Sequence, residues 1–284
     1  MIRGLYTGAS GMVAQQHRLD AISNNLANVD LNGYKRDVSI HKAFPELLIR
    51  RMSDNGVLRF PVGSIDAAPV VGKLGTGVEQ NEVFTHFGQG SLKETGNPFD
   101  LALDGDGFFV VGTATGDRYT RNGSFLINDE SILVTKEGLP VLGENGPIQI
   151  KKNNFVIDQQ GNVYVNAALD GEGRLVALEE NEWEAIELID RLQVVEFRRP
   201  RYLAKQGDSM WADTVESGRA RPQTGPGSNG LPTQVRQGFV EGSNVNAVRE
   251  MVEMIEVQRA YETNSRLIQT QDDLLGRLIN EARG

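Results

Sequence analysis

The sequence predicts an α+β protein: a discontinuous, coiled-coil-like helical module built from the two chain ends, with an all-β domain inserted between them. Three observations predict it. Apolar residues repeat at heptad spacing over residues 2–29, they do so again over residues 246–281, and the middle of the chain consists of short apolar runs punctuated by glycine-containing turn signals.

The N-terminal helix is expected within residues 1–31. Leu5, Met12, Leu19 and Leu26 stand seven apart, and Ile22 and Val29 follow three beyond the last two. This is a seam of the coiled-coil kind. Gly8 and Gln15 interrupt it, and Gly4, Gly8 and Gly11 each weaken an isolated helix by about 1 kcal/mol relative to alanine. Such a helix needs a partner.

Residues 32–74 read as an extended connecting segment containing Pro45, Pro61 and Pro69, with a short helix expected around residues 43–52. Residues 75–215 read as a β-rich outer domain. Strands are expected at residues 101–103, 108–111, 125–127, 132–135, 141–142, 148–150, 155–157 and 163–165. Asp104-Gly105, Asp106-Gly107, Asn122-Gly123 and Gln160-Gly161 punctuate them, with glycine supplying the positive φ of tight turns. Residues 216–240 read as a connecting loop, because Pro222, Gly225, Pro226, Gly227, Gly230 and Pro232 crowd it.

Residues 241–284 carry the second helix, running from about residue 246 to 281 with Ser243, Asn244 or Asn246 as N-cap. It is about 50 Å long at helical rise. Met254, Tyr261, Ile268 and Leu275 repeat every seven residues, Ala260, Leu267 and Leu274 form the adjacent column, and Val257 and Leu278 complete the stripe. Asn264 and Gln271 interrupt it. Spacing alone fits an ordinary core-facing helix as well as a seam between subunits.

The formal charge of −9 disfavours nucleic acid as the main partner, since phosphate binding draws on clustered Lys and Arg. The short basic pairs Lys35-Arg36 and Arg198-Arg199 read as solvated surface. With no cysteine, disulfides, thiolate metal sites and cysteine nucleophiles are excluded. The N-terminus shows no secretory signal and no run approaches a membrane span of roughly twenty apolar residues. Export would therefore use a route that reads no cleavable signal.

Candidate chemistry is sparse. Residues 225–230 match G-x-G-x-x-G, but a phosphate-binding turn must follow a strand and open a helix, and neither flanks it. Asp104-Gly105-Asp106-Gly107 lacks the bidentate glutamate of a calcium loop and reads as a hairpin turn. His17, His41 and His86 are scattered, without zinc-type spacing. Asn122-Gly123-Ser124 fits a glycosylation acceptor, yet a turn already explains it. No catalytic, cofactor-binding or metal residue is assigned, and no cofactor is expected.

Three segments in order carry a family likeness. The first is residues 24–36, with Asn25, Leu26, Ala27, Asn28, Gly33 and Tyr34 after the first helix; Gly33 suits a left-handed helix terminator. The second runs from Gly90 to Phe125. The third joins Asn244 and Val245 to Gln258, Arg259, Ala260 and Tyr261 in the last helix. Together they resemble the bacterial flagellar rod and hook family of axial proteins, over nearly the whole chain. Leu31 departs from the family, which usually has threonine there. The length suits a rod subunit rather than a hook subunit; residues 141–148 resemble the proximal rod more than the distal one while the N-terminus looks distal-like, so a proximal rod subunit is favoured, with a distal rod or hook subunit of the same family as the alternative.

The resemblance implies a structural protein exported by the flagellar type III apparatus without cleavage. It implies assembly with copies of itself and other axial proteins into a periplasm-spanning hollow tube, terminal helices inside and β domain outside. The assembly seam is expected at Leu5, Met12, Leu19, Ile22, Leu26, Met254, Tyr261, Ile268 and Leu275. These helices are expected to order on assembly, through head-to-tail contacts that do not close. Two rivals stand beside this: an exported cell-wall carbohydrate enzyme with paired carboxylates, and a membrane-surface binder using the terminal helices, which their mixed charge fits poorly.

Overall fold

The computed structural model describes residues 2–50, 58–60, 63–65, 70–150, 155–166, 186–207, 209–223 and 232–283. The chain divides into two compact units, one of Met1–Asn24, Asp37–Phe84 and Val248–Gly284, the other of Asn25–Arg36 and Thr85–Ala247. The N-terminal helix, the C-terminal helix and the β-rich middle give the α+β class with an inserted β domain.

The first unit contains most of α1 (Ile2–Ala27) and α2 (Ala247–Arg283). Its strands are β1 (Arg36–Ala43), β2 (Leu47–Arg50), β3 (Leu58–Phe60), β4 (Gly63–Ile65), β5 (Val70–Leu74) and β6 (Val78–His86). The helices run antiparallel: Gly4 lies beside Gln271, Gly8 beside Ile268, and Gly11 beside Asn264. Farther along, Arg18 reaches Glu253 at 3.9 Å. Because glycine has no Cβ, one helix comes close enough for the partner's side chains to rest on its backbone, as in small-residue helix contacts.

The strands of this unit pair two by two, β1 with β6, β2 with β5 and β3 with β4. No helix forms over residues 43–50. Leu47, Leu48 and Ile49 instead face Leu74, Lys73 and Gly72 across an antiparallel ladder. A four-residue apolar run has no period of its own, so its cross-strand partner decides. The connecting segment is thus largely paired strand. Pro61 and Pro69 lie outside the described residues.

The second unit holds β7 (Leu92–Glu94), β8 (Leu101–Asp104), β9 (Phe108–Thr113), β10 (Gly116–Thr120), β11 (Leu126–Ile127), β12 (Leu133–Val134), β13 (Phe155–Ile157) and β14 (Asn162–Asn166). It continues with β15 (Ile186–Arg191), β16 (Val194–Glu196), β17 (Ala204–Lys205), β18 (Met210–Ala212), β19 (Arg221–Pro222), β20 (Gln234–Gln237) and β21 (Phe239–Glu241). The largest sheet is six-stranded, in the order β17-β18-β10-β9-β16-β19. Strand β9 is buried on both faces. Phe109 enters a core with Leu101, Phe125, Ile148 and Val163, while Phe108 and Val110 enter a second core with Phe197 and Trp211. Side chains alternating across the pleat let one strand serve both.

The expected runs at residues 141–142 and 148–150 make single bridges, such as Val111 to Val141, rather than strands. The span 216–240, expected to be a loop, carries β19, β20 and β21. Strand β20 pairs with β8 and β21 with β7, over 100 residues away in sequence, partners that proline and glycine counts do not reveal. The G-x-G-x-x-G match at residues 225–230 lies outside the described residues.

Candidate functional site

The signature segments meet around one buried carboxylate. Glu241, at the end of β21, accepts from Lys35 Nζ at 2.6 Å and Arg121 Nη1 at 3.3 Å, with all three side chains almost wholly withdrawn from water. The Gly90 N–H donates to the same carboxylate at 2.8 Å, and Lys35 Nζ also donates to the Gly88 carbonyl at 2.9 Å. Arg121 also lies over the Phe108 ring, 5.4 Å from its centre. Burial draws the Lys35 pKa below its ordinary 10.5, the Glu241 charge opposes this, and the Arg121 charge reinforces it. Removing one member of such a group leaves uncompensated charge in a low dielectric.

Lys35, read from sequence as part of a solvated basic pair, is therefore fully buried. Its neighbours are locked by the same segments. Asn244 Oδ1 accepts from the Arg36 N–H at 2.8 Å, and Asn244 Nδ2 donates to the carbonyls of His86 and Gly88. Tyr34 Oη meets Asn25 Oδ1 at 3.2 Å, and Lys205 Nζ lies 4.7 Å from the Tyr34 ring centre.

Gly33 is left-handed, with φ +69°, yet α1 has already ended at Ala27. Its role is not helix termination. It donates to the Glu241 carbonyl at 2.7 Å, and a Cβ there would strike the backbone of Arg121 and Asn122. Gly123 likewise serves close approach, because a Cβ there would run into the Leu101 carbonyl.

The expected seam residues divide by environment. Ile22 is buried, Leu5, Met12, Leu19, Leu26, Met254, Ile268 and Leu275 are half-buried, and Tyr261 is exposed; of these, Ile268 lies against Gly8 of α1. The residues expected to interrupt the seam, Gly8, Asn264 and Gln271, are where the helices touch. A different stripe is exposed: Val248, Val252, Ile255, Leu274 and Leu278 on α2, with Tyr6 and Val13 on α1. Of the signature residues on α2, Gln258 and Arg259 are exposed and Ala260 half-buried. Asn25 and Val245 are buried; Ala27 is exposed, and the Asn28 N–H bonds back to the Asn25 carbonyl at 3.3 Å.

The remaining sequence candidates separate. His41 Nε2 lies 3.0 Å from the Ala14 carbonyl, and His86 Nδ1 accepts from the Gly88 N–H. The Asp104–Gly107 stretch is a turn whose glycines sit at φ +122° and +131°, with Asp104 paired to Arg236 at 2.7 Å. Among the described residues no three potential metal ligands cluster.

Helices from both chain ends, an inserted antiparallel β domain and a buried charged joint made by three distant segments define a structural subunit of the axial type. Family models match at the same three places: residues 5–35 match "Flagella basal body rod protein", residues 102–165 "Flagellar hook protein FlgE/F/G D1 domain", and residues 236–281 "Flagellar basal body rod FlgEFG protein C-terminal". Each matched stretch contributes one member of the trio. The flagellar basal-body rod protein FlgG of Bacillus subtilis is 31% identical over 286 residues, covering 100% of both chains. That of Borreliella burgdorferi is 35% identical over 278 residues, 97% of each, and that of Buchnera aphidicola (Schizaphis graminum) 35% over 280 residues, 98% of this chain and 99% of the other. The chain belongs to the FlgG family of flagellar basal-body rod proteins. It is a structural subunit of the rod, in the basal body of the flagellum.

Proposed function

We propose that the chain polymerises head to tail, with its terminal helices forming the inner wall of a hollow periplasm-spanning rod, and that it works mechanically without a catalytic step. The observation that carries this is the apolar surface left uncovered in the first unit. Beside the outward stripe of the helices, the β2–β5 ribbon exposes Leu47, Leu48, Ile49, Val70 and Val71. An isolated two-stranded ribbon is marginal in water, and monomers rarely leave so much apolar surface bare. Sister copies and other axial proteins are the natural cover, and only non-closing contacts extend into a rod. Signal-free export through the flagellar type III apparatus completes the reading.

The test replaces the chain in its own cells. A Leu274→Asp variant is expected to be made and exported yet to leave basal bodies without a full rod, with the β domain folded. Normal rods built from this variant contradict the seam. Loss of the chain from the cell exterior when the flagellar export apparatus is disabled is the expected outcome for the route. Labelled subunits in isolated basal bodies resolve whether it occupies the proximal segment, which residues 141–148 favour, or the distal one.

A further inference from the structure

The β domain carries a concentrated basic hollow that rod membership does not explain. Arg198 and Arg199, just past β16, and Arg219 and Arg221, at β19, line one concavity of about 320 Å³ together with Glu216 and Ser217. This is room for about ten waters at roughly 30 Å³ each. All four arginines are exposed. Among the described residues none of them makes an ion pair or a side-chain hydrogen bond, although Glu196 stands opposite Arg221 in the ladder. The chain as a whole is acidic, at −9, so four unpaired guanidiniums in one hollow oppose its overall charge.

The floor of the hollow is built rather than loose. Ser217 is 1% exposed, and its hydroxyl accepts from the Thr214 N–H at 2.8 Å while the Thr214 hydroxyl accepts from the Ser217 N–H at 3.1 Å. The Thr214 hydroxyl also donates to the Tyr202 carbonyl at 2.7 Å. The turn holding Glu216 and Arg219 is thereby pinned to the Pro200–Tyr202 turn that directly follows Arg198 and Arg199. Like charges brought together on a fixed frame repel unless an anion offsets them, and guanidinium forks match the oxygens of phosphate in pairs.

We propose that this hollow is a binding site for a phosphate-class oxyanion, either a free phosphate or a phosphate group of an anionic polymer. Glu216 offsets one positive charge, which leaves an excess that suits a multiply charged anion better than a single carboxylate. The proposal stands apart from the rod reading, because it uses none of the helices or the ribbon.

The test uses the full-length chain in calorimetric titration with inorganic phosphate, with short-chain polyphosphate, and with sodium chloride at matched ionic strength. Saturable binding of phosphate, absent with chloride and weakened at least about tenfold in an Arg199→Gln/Arg221→Gln variant, is expected, since each guanidinium removed takes its charge-assisted hydrogen bonds to the anion with it. Saturation by inorganic phosphate identifies the free ion as a sufficient ligand; saturation by polyphosphate alone identifies a polymer. Unchanged thermal unfolding of the variant in phosphate-free buffer shows that its fold is intact. Two results overturn the site: equal binding by variant and parent, or no saturable binding of either phosphate by the parent. The second holds even if the variant fails to assemble, which would assign the arginines to protein carboxylates instead.

Discussion

Glu241 is buried and faces two cations and one backbone N–H, so the three side chains are unequal partners. Truncating Glu241 strands both Lys35 and Arg121, whereas replacing Lys35 leaves the carboxylate paired with Arg121. Glu241→Ala is therefore expected to cost on the order of 3–5 kcal/mol in denaturant unfolding, and Lys35→Met clearly less. The reverse ranking contradicts this electrostatic account. The pH dependence has a defined sign. Since burial lowers the Lys35 pKa from 10.5, between the folded value and 10.5 the unfolded chain holds a proton that the folded chain has released. Stability from this group accordingly rises as pH climbs through that window, and the parent should gain relative to Lys35→Met there. A relative loss in the same window contradicts it. None of the trio was legible as a site, because residues 35, 121 and 241 share no local pattern and meet only where Gly33 bonds the Glu241 carbonyl and packs against the Arg121 backbone. Gly33, Tyr34 and Asn244 were legible as signature residues, but their purpose, crowding three backbones together, was not.

At the level of elements, both helices were legible to within a few residues, because heptad spacing and a capping position survive in any context. The meaning of their interruptions was not. Gly8 looks like a weak point in an isolated helix, yet a Cβ there would stand 2.9 Å from Ile268 Cγ1. Gly8→Ala trades a helix-propensity gain of about 1 kcal/mol against this crowding. It is expected to destabilise the helix pair, and in a double-mutant cycle with Ile268→Ala, which removes the crowded γ carbon, the double variant is expected to lose less than the sum of the two single changes; simple additivity contradicts a direct contact. The pair is itself marginal: Gln15 and Gln271 each bury a side-chain oxygen that has no hydrogen-bond partner among the described residues. Far-ultraviolet circular dichroism should show less helix in the dilute chain than in assembled material. Equal signals contradict ordering on assembly. Strands were legible where an apolar run was bounded by glycine, as at β8 and β9, and illegible where the partner was distant, as at β20, or where the run was short and apolar, as at β2.

For the whole molecule, the sequence made the order of parts legible, since helical periodicity at both ends and turn signals between them survive without knowledge of any contact. Which face of each end helix is spent within the chain could not be read, because half-buried and outward residues share the same apolar character. Packing separates them: Ile268 and Leu267 meet Gly8 of the partner helix, while Leu274 and Leu278 are exposed. The central claim is that this outward face is covered by other copies in the rod. The chain lacks cysteine, so a single Leu274→Cys substitution gives one reactive thiol, with Lys136→Cys on an exposed β-domain turn as the reference. Maleimide labelling of the free chain and of assembled filaments measures the cover directly. The account predicts that both thiols react in the free chain and that position 274 alone becomes protected on assembly. Equal labelling of position 274 in the two states contradicts it.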